Sequence, residues 1–137
     1  MKFKMLFLGL CLTVGSSAFA ANQHVHPQTP DDDKKPQEIS MKWAGYCEIE
    51  VVNSSSEDVR VSGIFDDGVW LQPFNVYGFE SPHYISLYYY GYCHAGMNLM
   101  VDTWSGYPIF SGYVEGGSTL RILPYLTNRA KAEVRAR

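Results

Sequence analysis

The chain has 137 residues, of which 11 are Lys or Arg and 14 are Asp or Glu, giving a formal net charge of −3. A chain of this length supports one small domain. Between residues 41 and 127 the basic residues are Lys42, Arg60 and Arg121, against nine carboxylates. Because neutralising nucleic-acid phosphates requires clustered Lys and Arg, this charge pattern argues against a nucleic-acid ligand.

Residues 1–20 have the pattern of a secretory signal peptide. Lys2 and Lys4 precede a short apolar run, and Ala18 and Ala20 place small side chains at positions −3 and −1 of a cleavage site. We therefore predict a mature protein that is exported to the periplasm or the extracellular space. The apolar run is shorter than the roughly 18 residues that a membrane span needs. No later stretch approaches that length, so no membrane span is predicted.

Two cysteines, Cys47 and Cys93, remain after removal of the predicted signal peptide. In an oxidising compartment, such a pair is typically a disulfide rather than a metal or thiol site. The alternative is two free buried cysteines. The sequence therefore predicts a Cys47–Cys93 disulfide and no cofactor.

Residues 21–40 are predicted to be a disordered leader. They contain three prolines and a run of five charged residues, and Val25 and Ile39 are the only large apolar side chains. Such a segment buries too little surface to offset its ordering entropy. His24 and His26 raise the possibility of a metal site, but an amino-terminal copper site needs histidine at the third position. Cleavage after Ala20 places His24 fourth, so no metal site is predicted.

Residues 41–127 alternate between apolar and polar side chains, which is typical of half-buried strands. Polar or glycine-containing turns separate the strands, and Pro73 ends the third strand or places it at a sheet edge. About seven strands at this spacing favour a small antiparallel β-sandwich, with a small closed β-barrel as the alternative. The first two strands are predicted to form a hairpin. The predicted strands cover residues 47–51, 59–65, 69–71, 83–92, 98–104, 107–114 and 119–123.

Residues 128–137 differ from the body. They carry five charges, four of them basic, and Val134 is their one sizeable apolar side chain. We predict a basic C-terminal tail that is either a frayed helix or disordered.

The run of tyrosines from Tyr88 to Tyr92 is the strongest candidate for a binding surface. On a strand, Tyr88, Tyr90 and Tyr92 share one face, and the opposite face, with Leu87 and Tyr89, turns toward the core. Exposed aromatic rings stack on sugars or anchor protein partners. We predict a binding module that takes a protein partner, or alternatively a glycan, through these three tyrosines and Trp104. The competing interpretation is that the rings only stabilise the sheet.

No catalytic residue is predicted. His83 and His94 do not lie in a recognisable triad arrangement, and the sequence contains no G-x-S-x-G motif. Glu48 and Glu50 occupy the polar face of one strand, and the turn at Asp66 lacks the spacing of a calcium loop. A small secreted hydrolase is the enzymatic alternative, and convergence of both histidines and a carboxylate in one pocket would favour it.

Overall fold

A computed structural model of the chain describes residues 22–27, 47–124 and 131–136. The predicted signal peptide and residues 28–46 lie outside the described residues. The described residues form eleven strands and no helix, and none of them belongs to a helix that could span a membrane. The strands are β1 (Gln23–His24), β2 (Glu48–Asn53), β3 (Val59–Phe65), β4 (Trp70–Val76), β5 (His83–Ser86), β6 (Tyr88–Tyr89), β7 (Tyr92–Cys93), β8 (Gly96–Thr103), β9 (Pro108–Glu115), β10 (Ser118–Leu123) and β11 (Lys131–Ala136).

Two main sheets form a sandwich-like, all-β fold with no closed barrel, which confirms the predicted fold class. One sheet has the strand order β1-β5-β2-β10-β11 and the other has the order β4-β3-β8-β9. Alternate side chains of both sheets point inward and bury a single apolar core. Every predicted strand region contains at least one strand. The core includes Ile49, Val51, Val59, Val61, Phe65, Leu71, Ile85, Leu87, Leu99, Val101, Leu120 and Ile122.

The predicted hairpin between the first two strands is wrong, because β2 and β3 lie in different sheets. The buried Asn53 explains the crossing. Its Nδ2 donates to the carbonyl oxygens of Glu57 at 2.7 Å and Val76 at 3.1 Å, while its Oδ1 accepts from the Ser55 amide at 3.0 Å. The polar segment after β2 is thereby fixed as an arch between the sheets.

The sheet containing β2 is mixed rather than purely antiparallel. β10 runs parallel to β2, with Leu120 opposite Val51. The turn that follows β9 passes through Gly117, at a φ of 80°, and delivers β10 to the other sheet instead of returning along β9. The chain therefore crosses between the sheets before β10, and this crossing allows β10 to run parallel to β2.

The predicted C-terminal tail is also wrong over its described residues, because 131–136 form the edge strand β11. The strand pairs antiparallel with the whole of β10. Ala132 packs against the core, and Arg135 contacts Glu133 at 2.8 Å on the exposed side. At a sheet edge, a few small apolar side chains and the backbone hydrogen bonds of the neighbour suffice to hold a strand.

The disulfide between Cys47 and Cys93 is present, as predicted, with a Cα–Cα distance of 5.5 Å. It joins the start of β2 to β7. The Leu87 amide also donates to the Cys47 carbonyl at 2.8 Å. The short β6–β7 hairpin is therefore tied to the body at its base.

Residues 22–27, part of the predicted leader, are packed against the body, so the prediction of disorder is wrong for them. We call them the N-terminal strap. β1 pairs parallel with β5, and the Tyr84 amide donates to the Asn22 carbonyl at 2.9 Å. The His24 ring stacks on Phe74 of β4 with a centroid distance of 3.4 Å. The strap therefore covers the open edge between β5 of one sheet and β4 of the other.

Two histidines meet beneath this edge. His24 Nε2 lies 2.8 Å from His83 Nδ1, and His83 Nε2 lies 3.2 Å from a carboxylate oxygen of Glu80. Burial, reinforced by repulsion from His83, lowers the pKa of His24 to about 4. The strap thus holds a neutral imidazole against Phe74.

We predict that acid weakens the strap. An unfolded histidine binds a proton below about pH 6.5, whereas folded His24 does so only below about pH 4. The contribution of His24 to the free energy of unfolding is therefore fully present above pH 6.5, and it is lost as the pH falls toward 4. Since His24 is only half-buried, solvent screening reduces the effect, and we expect a loss of about 1 kcal/mol. Urea unfolding at a series of pH values measures it. His24→Phe keeps the ring stack and should abolish this part of the slope.

Candidate functional site

The tyrosine run forms a hairpin rather than one strand. Tyr88 pairs with Cys93 and Tyr89 with Tyr92, and the turn residues Tyr90 and Gly91 have φ values of 53° and 84°. Positive φ at both central positions is what a two-residue hairpin turn requires. The prediction of one continuous strand over 83–92 is therefore wrong, and the three candidate tyrosines do not share one strand face.

The exposure of the tyrosines differs along the hairpin. Tyr89 is 1% exposed and belongs to the core with Leu87, as the alternation predicts. Tyr88 is half-buried, and its hydroxyl donates to the Gly91 carbonyl at 3.1 Å. Tyr90 and Tyr92 are 52% and 58% exposed. Of the three candidates, only these two present most of a ring to solvent.

Trp104 is exposed but lies at the other end of the sandwich. It sits in the turn between β8 and β9, and its amide donates to the carbonyl of Asp58, which precedes β3. The far end of β3 leads to Asp66 and Asp67, which contact the tyrosines. A strand of seven residues spans about 20 Å. The predicted grouping of Trp104 with the tyrosines is therefore wrong.

Four aromatic rings form a continuous stack that runs from the surface into the core. Tyr92 lies on His94 at a centroid distance of 4.1 Å, His94 on Tyr89 at 3.6 Å, and Tyr89 on His26 at 4.2 Å. His94 Nε2 also lies 3.1 Å from the Tyr89 carbonyl oxygen. The exposed Tyr92 ring is therefore supported from below by three ordered rings.

Asp67 connects the strap, the β3–β4 turn and the hairpin. Its carboxylate lies 2.8 Å from Nε2 of the buried His26, accepts from the Val69 amide at 3.1 Å and accepts from the Tyr90 hydroxyl. Desolvation acts to raise the pKa of Asp67, but these hydrogen bonds and His26 together lower it below its usual value. Asp67 is thus a fixed anion beside Tyr90.

Asp66 plays a similar part for Tyr113 of β9. The Tyr113 hydroxyl donates to Asp66 Oδ2 at 3.2 Å, and its ring, 48% exposed, lies over Gly96. Desolvation and nearby carboxylates raise the pKa values of both Tyr90 and Tyr113, so their hydroxyls remain donors at neutral pH. We define the tyrosine surface as Tyr90, Tyr92, Tyr113, Asp66 and Asp67.

A second group of exposed aromatic side chains lies around Asp58 at the opposite end. The Gly78 amide donates to Asp58 Oδ1 at 3.0 Å, which places the segment 77–79 near the β8–β9 turn. The exposed members of this group are Tyr77, Phe79, Trp104 and Tyr107.

The histidines and carboxylates considered for chemistry have separate neighbours. His83 contacts His24 and Glu80, whereas His94 lies between Tyr89 and Tyr92. Glu50 accepts from Thr119 Oγ1 at 2.7 Å. Among the described residues, no group of three or more His, Cys, Asp or Glu side chains is arranged to hold a metal ion. The tyrosine surface itself offers aromatic contact and hydrogen bonding.

The sequence patterns missed four residues of this region, namely His26, Asp66, Asp67 and Tyr113. His26 lies in a segment of polar composition, and Asp67 and Tyr113 are separated from Tyr90 by 23 positions each. The period-two pattern of β9 does place Tyr113 on the outer face of its sheet. The pattern does not indicate that this face of β9 lies next to the tyrosine hairpin.

Comparisons with known proteins add little to this description. No protein-family model and no curated protein matches the chain. Among solved structures, it is similar to a protein from Eubacterium rectale determined by NMR, with 16% identity and a TM-score of 0.47. The match covers 69% of this chain and 93% of that chain. At these values the similarity carries no conclusion about function.

Proposed function

We propose that this chain is an exported, non-catalytic binding module that recognises a protein partner through the tyrosine surface. The observation that carries the proposal is the state of Tyr90 and Tyr92, which are 52% and 58% exposed although each is held by other groups. Tyr90 bonds to Asp67, and Tyr92 stacks on His94. Large aromatic rings fixed before binding supply contact area at a small cost in conformational entropy.

Export is supported by two independent features. The sequence of residues 1–20 has the pattern of a cleavable signal. The Cys47–Cys93 disulfide suits an oxidising compartment. The partner is then expected in the cell envelope or outside the cell.

A glycan is the second candidate ligand, because carboxylates beside exposed rings can accept hydrogen bonds from sugar hydroxyls. Asp66 and Asp67 are such carboxylates. They already accept from Tyr113 and Tyr90, however, which leaves fewer acceptor positions for a sugar. We therefore place a protein partner first.

We expect Tyr90→Ala and Tyr92→Ala each to weaken partner binding by about 1–3 kcal/mol and to change the unfolding free energy by less than about 1 kcal/mol. Both rings are mostly exposed, so their loss leaves no core cavity. Tyr107→Ala is the matched control, since Tyr107 is also 52% exposed but lies at the opposite end. Affinity capture of the native partner followed by calorimetry measures binding, and urea unfolding measures stability.

A glycan array run with the same variants separates the two ligand classes. Glycan binding that depends on Tyr90 or Tyr92 supports the second candidate over the first. The proposal fails if Tyr107→Ala reduces capture as much as Tyr90→Ala does. It also fails if Tyr90→Ala costs about 3 kcal/mol or more of stability, because the ring is then a structural element.

A further inference from the structure

The tyrosine surface carries negative charge, and no ion pair among the described residues joins its carboxylates to a Lys or Arg side chain. Asp66 and Asp67 lie within it, and Glu115 acts on the Tyr113 hydroxyl from the same side. The ion pairs of the described residues join none of these three carboxylates to Lys or Arg. Arg60 lies at the other end of β3, opposite Asp102. Arg135 of β11 lies opposite Thr119, close to the turn after β9, and is paired with Glu133. This end therefore holds two or three carboxylates that have no Lys or Arg ion-pair partner among the described residues.

The exposed rings lie beside these charges. Tyr90 donates to Asp67 and Tyr113 donates to Asp66, so each ring is held next to a carboxylate. A hydroxyl that donates to an anion makes its ring richer in electrons, and such a ring attracts a cation more strongly. A guanidinium group stacks on an aromatic face and pairs with a carboxylate through the same planar fork.

We propose that the partner presents an arginine-bearing basic segment to the tyrosine surface, where guanidinium groups stack on Tyr90, Tyr92 or Tyr113 and pair with Asp66 and Glu115. This inference rests on the binding function proposed above and names the chemistry of its partner. Charge complementarity selects this occupant over an acidic or neutral peptide. The carboxylates also predict attraction at long range that weakens with salt.

The test uses two peptides titrated into the mature protein, with binding followed by NMR on the tyrosine ring signals. One peptide is Gly-Arg-Ser-Arg-Ser-Arg-Gly, and its twin carries citrulline, which has nearly the same shape without the charge, in place of each arginine. We expect the arginine peptide to bind at least tenfold more tightly than the twin. We also expect it to shift the ring signals of Tyr90, Tyr92 or Tyr113, and to weaken as salt is raised.

Charge-removing variants locate the effect. Asp66→Asn with Glu115→Gln removes two charges beside the rings and keeps an acceptor for Tyr113, and it should weaken the arginine peptide about fivefold or more. Glu57→Gln with Asp102→Asn removes the same number of charges at the opposite end, and it should change binding less than twofold. Asp67 is left intact because it bonds to the buried His26.

Three outcomes overturn the inference. The first is equal binding of the citrulline twin, and the second is an equal effect of the control charge pair. The third is full peptide binding by the variant with Tyr90→Ala, Tyr92→Ala and Tyr113→Ala. Capture of the native partner distinguishes this failure from failure of the proposed function. If the tyrosine variants lose the partner but Asp66→Asn with Glu115→Gln retains it, the function stands and the basic segment is wrong. If the tyrosine variants retain the partner, the proposed function itself is wrong.

Discussion

Replacing Cys47 and Cys93 together by serine is expected to lower the free energy of unfolding by about 4 kcal/mol. The two residues are 46 positions apart. In the chain-entropy model, releasing a loop of this length restores that much conformational freedom to the unfolded chain. Small domains have a total stability of about 5–15 kcal/mol, so the loss is a large share of it. The bond also holds the base of the hairpin that carries Tyr90 and Tyr92.

Urea unfolding followed by tryptophan fluorescence measures the change, and the reduced native-sequence protein provides the control. Both should lose the same stability if the covalent bond, rather than the serine side chains, is responsible. Amide hydrogen exchange should also accelerate at Tyr90 and Tyr92 in the double variant. A loss below about 1 kcal/mol contradicts the prediction and means that the unfolded chain remains compact without the bond.

Strand positions were predictable from this sequence because period-two alternation reports a half-buried strand directly. β3 has the predicted limits of 59–65, and β2 differs from its prediction by only a few residues. Strand partners were not predictable in the same way. Whether β2 and β3 form a hairpin or an arch depends on Asn53, whose buried amide bonds across to Val76 of another strand. That contact is long-range and leaves no periodic signal.

The exposed tyrosines were partly predictable and their neighbours were not. Alternation correctly placed Leu87 and Tyr89 in the core. Gly91 was the available signal of a turn inside the run, and its positive φ now ends the strand that the pattern extended through it. The contacts of Tyr90 with Asp67 and of Tyr113 with Asp66 join segments far apart in sequence. These contacts follow from the sheet topology, which the alternation of apolar and polar residues does not indicate.

Average composition misled the prediction for the N-terminal segment. Its prolines and charged residues indicate disorder over 21–40 as a whole. Within it, however, His24 and His26 each place a ring against aromatic side chains of the body. The six described residues are too few to alter an average over twenty. Local aromatic contacts therefore decide the structure of the strap.

Deleting the N-terminal strap is expected to cost at least about 3 kcal/mol of unfolding free energy, which a comparison of chains beginning at Asn22 and at Gln28 measures. His26 is 1% exposed and packs against Phe65 and Tyr89. Removal of a buried ring leaves a cavity in the core. It also leaves Asp67 without one of its hydrogen-bond partners.

Single substitutions within the strap identify which contact is responsible. His26→Ala should reproduce most of the loss, because it removes both the ring and the bond to Asp67. Val25→Ala is the matched control, since Val25 is 55% exposed between the two histidines, and it should change stability by less than about 0.5 kcal/mol. If the chain beginning at Gln28 unfolds within about 1 kcal/mol of the longer chain, the strap is dispensable. Its contacts with Phe74 and Asp67 then form without stabilising the fold.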